Sequence, residues 1–158
     1  MPIQIIGTYL SPFVRKVLVT LHLKSIPYQL DPLIPFLGNS KFTSFSPLRI
    51  VPILINNDFS ITDSSVICQY LEDKYPSPSI YPKNIEDWAK ARWIEEFADT
   101  KLADVIIWKL YYEVLVKKSV WKVPRNEELL EKIKREDKRR VREIFNRWEK
   151  MAEKCEIY

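Results

Sequence analysis

Ser11 is the first residue in the chain placed to do chemistry. It lies in the run Tyr9-Leu10-Ser11-Pro12-Phe13-Val14-Arg15-Lys16-Val17, where an apolar stretch gives way to a helical pattern. A serine at such a turn offers a hydroxyl that can donate to an anion. The helix start adds orphan N–H groups and a positive partial charge. A free thiol has a pKa of about 8.5, and a thiol held in those surroundings would give up its proton more readily. Serine is also a common helix cap with no chemical role, so this motif alone leaves both readings open.

Three further features carry potential chemistry. Val51-Pro52 opens an apolar run, and proline is unfavourable in a strand unless it sits at an end or a bulge. A cis bond there would leave the Val51 N–H and C=O free to pair with a peptide-like ligand; an ordinary trans edge proline is the alternative. Asp63-Ser64 stands at a helix start. Its carboxylate can accept from an ammonium, and its hydroxyl and helix N–H groups can bind a carboxylate, which suits the end of an α-amino acid. A plain capping pair is the alternative. Arg49, two residues before Val51, can hold a second carboxylate or simply stand in solvent. Together, a thiol-facing hydroxyl, a backbone clamp, an amino-acid grip and a carboxylate partner describe a site for a γ-glutamyl tripeptide.

These residues need elements to position them. Ile3–Thr8 is apolar and β-branched and reads as a buried strand. Pro12 fits the first helical position, and Val14, Val17, Leu18 and Leu21 give the helix its apolar face. Tyr28–Leu30 is a short second strand, and residues 36–45 are ambiguous, an irregular helix at most. Val51–Ile55 is a third strand, Asn56-Asn57-Asp58 a turn and Phe59–Ile61 a fourth strand. The segment from Thr62 to Ser65 offers several caps for a helix running to about Lys74. The order is β-α-β, a connector, then β-β-α, an α/β domain over residues 1–76. Tyr75–Pro82 holds three prolines in eight residues, so residues 77–84 read as a linker. Residues 85–158 read as all-helical: one long or kinked helix from Ile85 to about Lys118, a break at Pro124, and a last helix capped by Asn126. Its apolar stripe is Leu130, Ile133, Val141, Ile144, Phe145, Trp148 and Met151 or Ala152.

Composition narrows the function. Apolar residues make up 46% and aromatics 13%, which excludes a disordered chain. The net charge of +4 is mild and would favour an anionic small molecule. In the basic stretch Lys132–Arg142, Glu131, Glu136, Asp137 and Glu143 interleave with the cations, as on a solvated helix, so no nucleic-acid partner is expected. Cys68 and Cys155 stand far apart without a C-x-x-C, and His22 is the only histidine, so neither a redox dithiol nor a metal site is expected. Cys68 reads as a small core residue. No apolar run approaches the roughly 20 residues that span a bilayer, and the N-terminus has no leader pattern. The chain reads as soluble and cytoplasmic, with no membrane partner.

The residues quoted above resemble the glutathione transferase family over about residues 3–82, and most nearly its serine-type bacterial members with an S-P-[FY]-x-R-K-V run. Ser46-Pro47-Leu48-Arg49-Ile50-Val51-Pro52 resembles the family's N-P-x-G-K-V-P segment with its cis proline, and Thr62-Asp63-Ser64 its γ-glutamyl motif. Trp88–Thr100 is similar to the first helix of the family's second domain. The resemblance implies a thioredoxin-like glutathione-binding domain followed by an all-helical one. It implies glutathione as co-substrate, its thiolate facing Ser11, its cysteinyl backbone on Val51 beside Pro52, its γ-glutamyl end on Asp63 and Ser64, and its glycyl carboxylate on Arg49. Asp99 would reach the γ-glutamyl ammonium in the partner subunit of a homodimer. Tyr9, Phe13, Trp108, Tyr111 and Tyr112 would line the pocket for a small hydrophobic electrophile, or serve core and interface packing. The activity implied is transfer of the thiolate to an electrophilic carbon, in detoxification. Two departures stand out. Ile50 replaces a frequent lysine, which weakens the hold on the glycyl end. The family's second domain runs through several more helices, one with an S/T-x-x-D capping box, so the chain reads as truncated there, with the inner faces of residues 85–116 and 129–152 exposed. A catalytically inactive binding or scaffold module of the same family is the alternative.

Overall fold

The computed structural model describes residues 2–33 and 40–133, and beyond them only residues 135, 139, 142, 143 and 146. The chain forms two compact units, residues 1–82 and 83–158.

In the first unit the order is β1 (Ile3–Ile6), α1 (Pro12–Leu23), β2 (Tyr28–Asp31), α2 (Ser40–Phe45), β3 (Ile53–Asn56), β4 (Phe59–Thr62) and α3 (Ser64–Lys74). The sheet order is β2-β1-β3-β4. β1 and β2 run parallel, and β3 lies antiparallel to both β1 and β4. β1 stops at Ile6, two residues before the sequence pattern does, because Gly7 turns the backbone to φ +152°. Of the ambiguous stretch 36–45, residues 40–45 are helical and 36–39 lie outside the described residues.

The alternation along each strand divides the core. Ile3 and Ile5 of β1 and Leu54 of β3 pack with Val14, Val17, Leu18 and Leu21 of α1 and Ile67, Cys68 and Leu71 of α3. Ile6 and Ile53 point the other way, with Phe42 of α2. Cys68 is buried in the first cluster, its Sγ 3.3 Å from Thr20 Oγ1. His22 is exposed in the last turn of α1.

In the second unit, α4 (Ile85–Phe97) is capped by Asn84, whose Oδ1 accepts from Glu86 N at 3.0 Å and Asp87 N at 3.1 Å. The helical run continues through a wider π-helical turn (Ala98–Leu102), one α-helical turn (Ala103–Val105) and a π-helical stretch (Ile106–Trp121). The chain leaves the helix before Pro124, and residues 127–133 are helical again. Asn126 caps that helix, its Oδ1 accepting from Leu129 N at 2.9 Å. Leu130 and Ile133 are buried; Val141, Ile144, Phe145, Trp148, Met151 and Ala152, like Asp137 and Cys155, lie outside the described residues. Glu113 ties the two parts: it is buried, pairs with Lys117 at 2.7 Å and accepts from Asn126 N at 3.0 Å. The Lys117 bond first, then the Asn126 N–H, hold its carboxyl below the usual range against the opposing effect of burial. No described helix is long and apolar enough to cross a membrane.

The proline-rich stretch after α3 is strapped to the first unit by a buried cation. The Lys24 side chain is fully buried at the C-terminal end of α1. Its ammonium donates to Tyr75 O at 2.6 Å and Pro78 O at 2.8 Å, and pairs with Glu72 Oε2 at 2.6 Å. All three of its donors are thus used, which a buried ammonium requires. Glu72 in turn accepts from Ser79 Oγ at 2.6 Å and Ile80 N at 3.2 Å. Burial pushes the Glu72 carboxyl up, but the bonds from Lys24, Ser79 and Ile80 outweigh it and hold the group below its ordinary 4.5. A carboxyl so depressed stabilises the fold fully above its unfolded pKa, and that contribution is lost as pH falls through the folded value. Lys24→Met should destabilise the protein by about 3–5 kcal/mol at pH 7, as when one member of a buried pair is removed. In urea titrations the gap between wild type and variant should narrow below the ordinary Glu72 value, where the carboxyl protonates; an equal gap at pH 7 and pH 3.5 would detach Glu72 from the strap.

Candidate functional site

The strand register brings three loops to one edge of the first unit. Ile6 pairs with Asp31 on one side and Ile53 on the other, and Ile53 pairs with Thr62. This row closes the sheet at the carboxyl ends of the parallel strands, where ligands of open α/β sheets bind. Just past it lie the Gly7–Ser11 turn after β1, Val51-Pro52 before β3 and Asp63 after β4.

Gly7 sets how closely these loops approach. A Cβ on it would fall 2.5 Å from Val14 Cγ2 and 3.4 Å from Val51 Cβ, and its φ is one that L side chains rarely adopt. Gly7 N donates to Asp31 O at 2.9 Å, which fixes the turn against β2. From there Ser11 N donates back to Thr8 O at 2.9 Å, and Ser11 becomes the N-cap of α1. Its Oγ accepts a long 3.4 Å bond from Val14 N. An oxygen so lightly engaged keeps its hydrogen for another acceptor. Ser11 is half-buried, whereas Tyr9 and Leu10 beside it are exposed. Tyr9 shares a hydrogen bond with Tyr28 of β2; burial first, then Tyr9, pushes the Tyr28 hydroxyl up. Phe13 is half-buried in the first turn of α1.

The Val51–Pro52 bond is cis. Pro52 is buried and Val51 packs against both core clusters. Among the described residues no hydrogen bond engages the Val51 amide or carbonyl. The loop that delivers it is pinned by Ser46, a buried residue to which the sequence motif assigned no task. Ser46 Oγ donates to Ile50 O and accepts from Ile50 N, both at 3.0 Å. The serine before Pro47 was its one signal, and that is a turn signal rather than a chemical one. Arg49 sits at φ +54°, and its guanidinium lies back on α2, donating to Thr43 Oγ1 at 2.8 Å and standing 5.5 Å from the Phe42 ring centre.

Asp63 is the N-cap of α3, and its Oδ1 accepts from Ser65 N at 2.9 Å and Val66 N at 3.2 Å. Its backbone is held at φ 77°, ψ 122°, a conformation costly for any residue but glycine. Ser64 beside it is buried. Lys16 of α1 donates to Ser65 Oγ at 2.8 Å, bringing an ammonium to the same turn. The first unit therefore gathers Ser11, Val51, Pro52, Asp63 and Ser64 at one sheet edge, and turns the Arg49 head group onto α2. Asp99, Trp108, Tyr111 and Tyr112 belong to the second unit: Asp99 and Tyr111 are half-buried there, Trp108 and Tyr112 exposed. Among the described residues no cluster of three or more His, Cys, Asp or Glu could hold a metal.

A four-stranded mixed sheet flanked by α1, α2 and α3, with a helical unit after it, defines a thioredoxin-like domain joined to a helical one. The family profile "Glutathione S-transferase, N-terminal domain" matches residues 5–79. Glutathione S-transferase U13 of Arabidopsis thaliana is 33% identical over 103 residues, covering 63% of this chain and 45% of that protein. A probable glutathione S-transferase of Nicotiana tabacum is 31% identical over 105 residues, covering 66% and 47%. The crystal structure of a glutathione S-transferase from Rhodospirillum rubrum F11 superposes with a TM-score of 0.81 at 27% identity, covering 89% of this chain and 64% of that one. A glutathione S-transferase from Methylobacterium radiotolerans, solved in complex with glutathione sulfonate, gives 0.67 at 25% identity, covering 85% and 61%. The chain carries a glutathione S-transferase N-terminal domain over residues 5–79. It spans under half the length of these two curated relatives.

The Asp63 backbone yields a test of its own. Asp63→Ala removes the cap and keeps the unfavourable φ, and should destabilise the protein by about 2 kcal/mol. Asp63→Gly accepts that φ freely and caps nearly as well, so its urea midpoint should stay close to wild type. Equal losses in both variants would mean that the backbone at Asp63 is not what sets the local energy.

Proposed function

We propose that the chain binds glutathione at this sheet edge and transfers its thiolate to an electrophilic carbon of a small hydrophobic molecule. The observation that carries the reading is the convergence of Ser11, the unengaged Val51 backbone and the Asp63-Ser64 turn beyond one row of paired strand residues. The glutathione sulfonate complex of the Methylobacterium relative supports the ligand class. The cysteinyl backbone pairs with Val51 as one more antiparallel partner. Asp63 accepts from the γ-glutamyl ammonium, and Ser64 donates to its carboxylate. Arg49 takes the glycyl carboxylate after leaving Thr43. The thiol is then directed at Ser11, where the hydroxyl and the start of α1 favour the thiolate over the thiol. The proton passes to solvent, the sulfur lone pair forms the new C–S bond, and the electrophile's leaving group or π electrons take the displaced pair.

In this reading Tyr9 and Phe13, beside Ser11, border the electrophile, and Asp99 serves the site of the partner subunit in a homodimer. The protein works in the cytoplasm, in detoxification.

Calorimetric titration of the purified chain with glutathione tests the binding step, and conjugation of an aryl halide tests the transfer. Ser11→Ala should lower kcat on the order of 10²-fold, as removal of a donor to a developing or fixed anion does. Its glutathione Kd should change far less, because the hydroxyl acts on the sulfur and not on the peptide. Equal losses in kcat and affinity would move Ser11 from the thiolate to the binding surface. Binding without conjugation in the wild type would make the chain a glutathione-binding module instead of a transferase.

A further inference from the structure

We propose that Lys16 is a specificity-determining residue of this site, the cation that receives the α-carboxylate of a zwitterionic γ-glutamyl end; this rests on the glutathione-binding reading above. The first turn of α3 explains why a cation is needed. A helix start leaves its first N–H groups without partners. Here Asp63 Oδ1 takes those of Ser65 and Val66, and the Asp63 carbonyl takes that of Ile67 at 2.9 Å. Among the described residues only the Ser64 N–H of that turn is left unbonded. One neutral N–H and one hydroxyl make a weak seat for a carboxylate, and the Asp63 charge next to it repels the incoming anion.

Lys16 corrects both defects. It stands on the second turn of α1, half-buried, and its ammonium reaches across to Ser65 Oγ at 2.8 Å. Ser65 is thereby bracketed by opposite charges, Asp63 on its amide and Lys16 on its hydroxyl. A free amino-acid end carries the same two charges in complementary order, ammonium toward Asp63 and carboxylate toward Lys16. The spacing is preset, because Val14, Val17 and Leu18 of α1 share one core cluster with Ile67 and Leu71 of α3. Arg15, the neighbouring cation, is exposed. Only the second residue of the basic pair is turned to α3.

Calorimetry on the 158-residue chain with three tripeptides tests this: glutathione, 4-aminobutyryl-cysteinylglycine, which lacks the α-carboxylate, and glutaryl-cysteinylglycine, which lacks the α-amine. Wild type should lose about tenfold in affinity when the carboxylate is removed, the scale of one charge-assisted bond. Lys16→Met should lose a similar factor on glutathione and then bind the decarboxylated peptide as well as glutathione. It should still discriminate against the glutaryl peptide, and Lys16→Arg should restore most of the affinity. If Lys16→Met fails to fold, Lys16→Gln, which keeps a donor for Ser65 Oγ, carries the same comparison. Equal weakening toward glutathione and the decarboxylated peptide would make Lys16 a structural bolt between two helices and overturn the proposal, as would no weakening at all. A wild type that does not bind glutathione would overturn the glutathione-binding reading itself, and Lys16 with it.

Discussion

The whole edge of the first unit depends on one close approach, the packing of the Gly7 backbone between Val14 and Val51. A single added carbon at Gly7 would meet Val14 at 2.5 Å, well inside any tolerable contact, and the interior cannot yield that much without moving an element. Because no side chain intervenes, the start of α1 and the loop before β3 sit against the same turn. That turn is also bonded to β2 through Asp31. Ser11 and Val51 therefore face one place although forty residues separate them in sequence. The parallel and antiparallel pairings through Ile6 then carry the alignment outward to Thr62, and so to Asp63.

Local capping and tertiary packing share the remaining work. Ser11 and Asp63 are both N-caps, and each stabilises its helix by about 1 kcal/mol. The two caps differ in strain. Ser11 lies in the extended region at φ −77°, whereas Asp63 is held at φ 77°, which opposes its own preference. Such a residue persists only where surrounding structure over-determines it, and here α3 is locked to the sheet by Ile67 and Leu71. At the far end of the same helices, Lys24 and Glu72 fasten the proline-rich segment. The stretch after α3 clusters with the first unit up to Pro82, and its Tyr75 and Pro78 carbonyls and Ile80 N–H satisfy a buried ion pair that would otherwise be costly.

Much of this is legible in the amino-acid sequence. The β-α-β then β-β-α order follows from period-two and helical apolar spacing and from the positions of proline and cap residues, all local signals. Ser11, Val51 and Asp63 can be picked out because each stands at a boundary between two patterns. Three residues are not legible in the same way. Ser46 reads as an ordinary turn serine, yet its hydroxyl pins Ile50 on both sides. Lys24 belongs to no motif in the sequence, yet its side chain is fully buried. Lys16 reads as half of a basic pair, and its partial burial and the bond to Ser65 distinguish it from Arg15. In each case the partner lies on another segment, and no periodicity encodes a partner. Arg49 shows the converse: its sequence position leaves open a carboxylate partner or solvent, and the structure lays its head group on Thr43 and Phe42.

The sequence by itself determined the order of the elements in the first unit, the caps Ser11, Asp63 and Asn126, and the chemical types available at each loop. These depend on spacing along the chain and on the conformational limits of single residues such as Gly7 and Pro52, so they are written where they act. The tertiary structure decided which of those groups share a site and what charge each one meets. Strand register placed Thr62 level with Ile6, packing of α1 on α3 carried Lys16 to Ser65, and burial converted Lys24 from a surface charge into a clasp. Distance through space and exclusion of water set those outcomes, and neither is a property of any segment taken alone.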